Sequence, residues 1–122
     1  MLEFLSHPEF DKETADISRR FRTFNDGLVS FKLICEKQFH PTNPQIVIPP
    51  GKIHHRKETE LFSMWKIELV LPNSGLRPNQ FPKVWFAVQG VKIAFLCVGT
   101  HIDNYNDNKM DRVAEKRATD IF

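Results

Sequence analysis

His101 stands just past the end of a nearly unbroken apolar run, Val91-Lys-Ile-Ala-Phe-Leu-Cys-Val-Gly99, with Thr100 before it and Tyr105 a few residues on. A histidine changes charge close to neutral pH and can take or give a proton there, while a tyrosine ring offers a surface for packing or stacking. A second polar group lies upstream, where Lys66 and Glu68 alternate with apolar residues and Lys83 opens a later apolar stretch. Residues two apart on a strand share a face, so Lys66 and Glu68 point the same way, and Lys83 can join them across a ladder. A carboxylate among ammonium groups, with a histidine near, can move protons beside a bound anion. On spacing alone the simpler reading of the same residues is the solvated side of a strand, with His101 as a surface or capping residue and Tyr105 as an aromatic packed under a helix.

These side chains need elements to hold them. The run bounded by Gly90 and Gly99 has strand length and fits a strand buried on both faces, in the middle of a sheet. Before it, Lys83 to Val88 places Val84, Phe86 and Val88 inward, and Gln89-Gly90 signals a hairpin turn. Leu61 to Leu71 shows period two, with Leu61, Trp65, Ile67, Leu69 and Leu71 on one face and Met64, Lys66, Glu68 and Val70 on the other. At the start, Met1 to His7 predicts a short strand ended by Pro8. Phe10, Ile17, Phe21 and Phe24 then fall on one face of a helix that Asn25-Asp26-Gly27 breaks, and a second helix with Asp26 as N-cap carries Leu28, Phe31, Ile34, Cys35 and Phe39 inward. His40 to Gly51, punctuated by Pro41, Pro44, Pro49 and Pro50, is an extended connection, and Lys52 to Arg56 is polar and exposed. Asn108 to Ile121 has helical spacing. The fold class is therefore α+β: an N-terminal strand and helical hairpin packed on an antiparallel sheet of three further strands, with a C-terminal helix, the helices gathered on one face.

Residues 1–122 suit one domain, long enough to bury roughly two-thirds of the unfolded surface in a single core. The 41% hydrophobic and 26% charged fractions are ordinary for a globular chain, and no apolar run approaches the roughly 20 residues that span a bilayer. Without a signal-peptide pattern the chain reads as soluble and cytoplasmic, with no membrane partner. Cys35 and Cys97 sit among apolar neighbours and read as reduced core thiols. Net charge is only +2, but Lys52, Arg56, Lys57, Lys66, Arg77 and Lys83 cluster in sequence with His54 and His55, which predicts a local positive face.

The order of elements, the piece Gly51-Lys-Ile-His leading into Leu61-Phe-Ser-Met-Trp-Lys-Ile-Glu-Leu69, the strand Pro82-Lys-Val-Trp-Phe-Ala-Val88, and the run from Val91 through His101 to Tyr105 are together similar to the RelE/ParE superfamily of bacterial type II toxins. The resemblance implies a ribosome-dependent endoribonuclease that cuts mRNA without a metal or other cofactor and is silenced by a cognate antitoxin protein. It places the active groove on the open sheet face, with His101, Glu68, Lys83 and Lys66 as catalytic residues and Lys52, His54, Arg56, Thr100 and Tyr105 as RNA-binding ones. Cleavage of that kind needs one group to take the proton of the 2′-OH, another to protonate the leaving 5′ oxygen, and cations on the phosphate. His101 and Glu68 fit as the proton carriers, the lysines as the phosphate clamp, and Tyr105 as a stacking ring.

Two features depart from the family pattern. Lys83 stands where members usually carry Arg, which replaces a bidentate fork by a point charge, and the overall charge is milder than such toxins usually show. The same fold also fits a ParE-like DNA gyrase inhibitor without nuclease chemistry, or a non-catalytic RNA- or protein-binding module. His54 and His55 are adjacent, so on a strand they face opposite ways, and none of the familiar zinc spacings is present. Asn104 to Asn108 loosely follows a calcium loop, but Lys109 occupies the place where the turn needs Gly.

Overall fold

The computed structural model describes Met1–Phe122. Eight principal elements follow one another: β1 (Glu3–Ser6), α1 (Pro8–Arg20), α2 (Phe24–Gln38), β2 (Ile53–Glu58), β3 (Ser63–Glu68), β4 (Lys83–Gln89), β5 (Lys92–Gly99) and α3 (Asp107–Ile121). The five strands make one mixed sheet in the order β1-β5-β4-β3-β2, antiparallel except for the parallel pair of β1 and β5. The class is α+β, with the N-terminal strand, the helical hairpin and the C-terminal helix as expected. No helix is long and apolar enough to cross a membrane.

Local chemistry sets the helix ends. Proline is tolerated at a first helical position, where the missing N–H would be unpaired anyway, and α1 begins at Pro8 itself, two residues before the apolar periodicity starts. His7 caps it: its Nδ1 accepts the Glu9 N–H at 3.1 Å, and its Nε2 reaches Asp120 at 2.9 Å. Glu9 and Asp11 in the first turn and Arg19 and Arg20 in the last suit the helix dipole. The break between helices falls at Phe21 to Thr23, not at Asn25-Asp26-Gly27, and Asp26 lies in the first turn of α2 with Thr23 as N-cap. Gly27 is kept inside α2 by a close approach: a Cβ there would lie 2.7 Å from Leu71 Cδ2 and 2.9 Å from the Val70 carbonyl oxygen.

The segment expected to be merely exposed, Lys52 to Arg56, mostly enters β2, paired with β3 from Ile53↔Ile67 to Glu58↔Ser63. As the outer strand of the sheet it needs no apolar alternation, and its His, Arg and Lys side chains discourage further edge pairing. The period-two stretch that follows it forms β3 and is shorter than the sequence suggests, ending at Glu68, and Leu61, expected inward, is 53% exposed.

Both faces of the sheet are covered, which corrects the expectation that all helices share one. The hairpin α1–α2 packs Phe10, Ile17, Phe24, Phe31 and Cys35 onto Ile67, Val84, Phe86, Ile93, Phe95 and Val98. On the opposite face α3 presses Ala114 and Ala118 onto Met64, Trp85, Ala87, Ala94, Leu96 and Cys97. A β-bulge makes the second core possible. Trp85 pairs with Cys97 and Phe86 with Phe95, leaving Leu96 unpaired, so that Leu96 and Cys97, consecutive in sequence, join the same face. The bulge also resets the alternation, so that Gly99 faces the α3 side.

Candidate functional site

Three rows of cross-strand neighbours cross the α3 face. One runs Glu68↔Lys83↔Gly99 over β3, β4 and β5, and the next runs His54↔Lys66↔Trp85↔Cys97 from β2 to β5. The third, Met64↔Ala87↔Ala94, lies beneath α3. Period two places Lys66 and Glu68 on one face, and antiparallel pairing brings Lys83 beside them, so three of the residues singled out from sequence do meet.

In the first row Glu68 is held between two ammonium groups. It accepts from Lys52 Nζ at 2.9 Å and lies 3.5 Å from Lys83 Nζ, with the side chains of Glu68 and Lys83 only 15% and 18% exposed. Burial pushes the Glu68 carboxyl up, but the hydrogen bond from Lys52 and the charge of Lys83 outweigh it and hold the group below the usual carboxylate range. Glu68 is therefore ionised at neutral pH, an acceptor with two cations on it. Lys83 also donates to the Phe81 carbonyl at 3.3 Å.

In the second row Lys66 is already spoken for. Its Nζ bonds Asp107 at 2.8 Å and stands 5.8 Å from the centre of the Trp85 ring. His54 is exposed at the outer end of the same row. Arg56 is the extra residue of a second bulge, between His55 and Lys57, and turns its fork onto Asp111 of α3 at 3.0 and 2.7 Å. Trp85 Nε1 donates to the same carboxylate at 2.9 Å. Asp107, Asp111 and Glu115 thus meet Lys66, Arg56 and Lys57 in turn along α3. The sequence shows these acids four apart, but only the placement of α3 says which cations they meet.

The exit of β5 divides its residues. Thr100 is fully buried, and its backbone N–H and hydroxyl both donate to Asp103 Oδ2, at 3.1 and 2.7 Å. It holds the turn and offers nothing to a ligand. Tyr105 rests against Gly99, where a Cβ would meet its ring at 2.8 Å, and meets Trp85 edge to face with centroids 5.9 Å apart. Burial, with Asp107 and Asp103 near, pushes its phenol up, so it stays a neutral hydroxyl. His101 is exposed: its Nδ1 donates to the Gln80 carbonyl at 3.1 Å, next to the Phe81 carbonyl that accepts from Lys83, and its ring lies 6.1 Å from that of Phe21, at the end of α1. No three His, Cys, Asp or Glu side chains are grouped to hold a metal ion. No family model, curated protein or solved structure matches the chain.

Proposed function

We propose that this protein is a toxin of the RelE/ParE type, a metal-independent, ribosome-dependent endoribonuclease that cleaves mRNA and is held silent by a cognate antitoxin. The observation that carries the reading is the row of Lys52, Glu68 and Lys83, with Lys66 one row below. A phosphodiester entering there takes Lys83 and Lys52 as its counter-charges. Those two cations are what hold the Glu68 carboxyl down, so their transfer to the phosphate leaves burial to raise it. Substrate thereby turns a weak base into a stronger one, suited to take the 2′-OH proton as that oxygen attacks phosphorus. The 5′ oxygen leaves with a proton from Lys83 or from His101.

The test is translation-dependent mRNA cleavage by the wild type, Glu68→Gln, Lys83→Ala and His101→Ala. Glu68→Gln is expected to lose on the order of 10²–10⁴-fold in rate, the usual worth of a positioned proton carrier. Intact mRNA with the wild type, or full cleavage by Glu68→Gln, sinks the reading, and full cleavage by His101→Ala assigns the acid role to Lys83. A second reading rests on a different observation, that Lys66 and Arg56 are already neutralised by α3 carboxylates. It is a gyrase-directed or other non-cleaving toxin, for which supercoiling would be blocked while mRNA stays whole.

A further inference from the structure

The largest cavity of the molecule lies outside the lysine row. β1 pairs with β5 only from Glu3↔Lys92 to Ser6↔Phe95, so beyond Phe95 no strand closes that edge. α1 and α3, on opposite faces, become the walls of a cleft of about 490 Å³ floored by the end of β5 and the turn carrying Tyr105. That volume lies within the roughly 300–1,000 Å³ of small-molecule sites.

Its charge is balanced. Glu13, Asp16 and Asp103 line it against Arg20, Lys109 and Arg117, so a phosphate gains little there, in contrast to the lysine row. Arg117 pairs with Glu13 at 2.9 Å, and Arg20 reaches Asp16 at 3.5 Å and Asp103 at 3.9 Å, so the walls offer the donors and acceptors these pairs leave over, together with the Asn104 amide and the Tyr105 ring and hydroxyl. A flat, neutral ligand with donors and acceptors on its edge fits that chemistry, and a nucleobase is such a ligand. The register supplies the connection. Tyr105 rests on Gly99, the cross-strand partner of Lys83, and neighbouring strands lie about 4.8 Å apart. We infer that the cleft receives an unstacked nucleobase of single-stranded RNA, adjacent to a phosphate held at Lys83 and Lys52. The inference rests on the RNA reading above and adds to it the pocket that distinguishes one base from another.

Two measurements separate this inference from the nuclease reading. In the first, methyl and backbone NMR signals are followed while adenosine, guanosine, cytidine, uridine or inorganic phosphate is added. At least one nucleoside is expected to shift Met110 and Val113, which line the cleft, in a saturable way, whereas phosphate shifts Lys83 and Lys52 instead. In the second, anisotropy with short single-stranded RNA homopolymers compares the wild type with Asn104→Gly, Asp16→Ala and Lys83→Ala. Asn104 has φ +48°, so glycine removes its amide without strain. The two cleft variants are expected to lower affinity for the preferred base about 5- to 10-fold, in line with loss of one hydrogen bond, and to leave the others nearly unchanged; Lys83→Ala weakens all four alike. Cleft signals indifferent to every nucleoside, with an unchanged base ranking in the cleft variants, overturn the inference even if mRNA is cleaved. Nucleoside binding in the cleft without mRNA cleavage supports the pocket and removes the nuclease.

Discussion

Replacing Asp111 by Ala removes the carboxylate on which Arg56 of β2, Trp85 of β4 and helix α3 converge, and the cost can be worked from the contacts. Asp111 accepts both arms of the Arg56 fork, at 3.0 and 2.7 Å, and the Trp85 Nε1–H at 2.9 Å. Breaking a buried ion pair costs about 3–5 kcal/mol, but both side chains here keep 24% of their exposure, so water partly replaces the lost partner. About 2 kcal/mol for the pair and about 1 kcal/mol for the stranded indole N–H give a total of about 3 kcal/mol. For a domain of this size that lowers Tm by roughly 10 °C. Thermal and urea unfolding followed by tryptophan fluorescence would measure it. The pH dependence supplies a control. Burial pushes the Asp111 carboxyl up, but the hydrogen bonds from Arg56 and Trp85 and the charge of Arg56 hold it below the usual range on balance. A carboxylate depressed in the folded state contributes stability that is complete above its ordinary pKa of about 3.9 and lost as pH falls through the folded value. The gap between wild type and variant should therefore be full at neutral pH and close below about pH 4. A loss under about 1 kcal/mol at neutral pH, or a gap that persists unchanged in acid, would refute the claim that this carboxylate fastens α3.

Other predictions follow from close approaches and burial. Gly27→Ala gains about 1 kcal/mol of helix propensity, but its Cβ would meet Leu71 at 2.7 Å and the Val70 carbonyl at 2.9 Å, so net destabilisation of about 1–2 kcal/mol is expected in urea unfolding; a more stable variant contradicts the packing described. Gly99→Ala should push the Tyr105 ring off the sheet, costing about 1–3 kcal/mol and changing Trp85 emission through their edge-to-face contact; unchanged Tyr105 ring signals in NMR would be the contrary result. Burial pushes the Cys97 thiol up to about 12 and the Cys35 thiol further still. Neither should react with a thiol reagent at pH 8 in the native state, and both should react in denaturant, since the thiolate is the reactive form.

Much of the fold is legible in local periodicity because the forces that make it are local or averaged. Phe10 and Ile17, two turns apart, mark the buried side of α1; the alternation around Trp65 and Ile67 marks β3; the apolar run of β5 shows a strand covered on both faces. β2 escapes such reading because an edge strand buries little and its hydrogen bonds go to a partner the sequence does not name. The turn at Asn25-Asp26-Gly27 misleads because Gly27 serves a close contact with Leu71, not a chain reversal.

The candidate site divides in the same way. Amino-acid types and spacing determined that Lys66 and Glu68 share a face, that Lys83 opens the next strand, and that His101 and Tyr105 follow the buried one. Tertiary structure decided what each became. Register set Lys83 beside Glu68; the bulge at Leu96 turned Gly99 up to seat Tyr105; and the docking of α3 handed Lys66 to Asp107 and Arg56 to Asp111. His101 went to the side of Phe21 and Gln80. Periodicity is a property of neighbours along the chain and can be read there, whereas the partner of a charge is a property of neighbours in space, fixed only when the helices settle on the sheet.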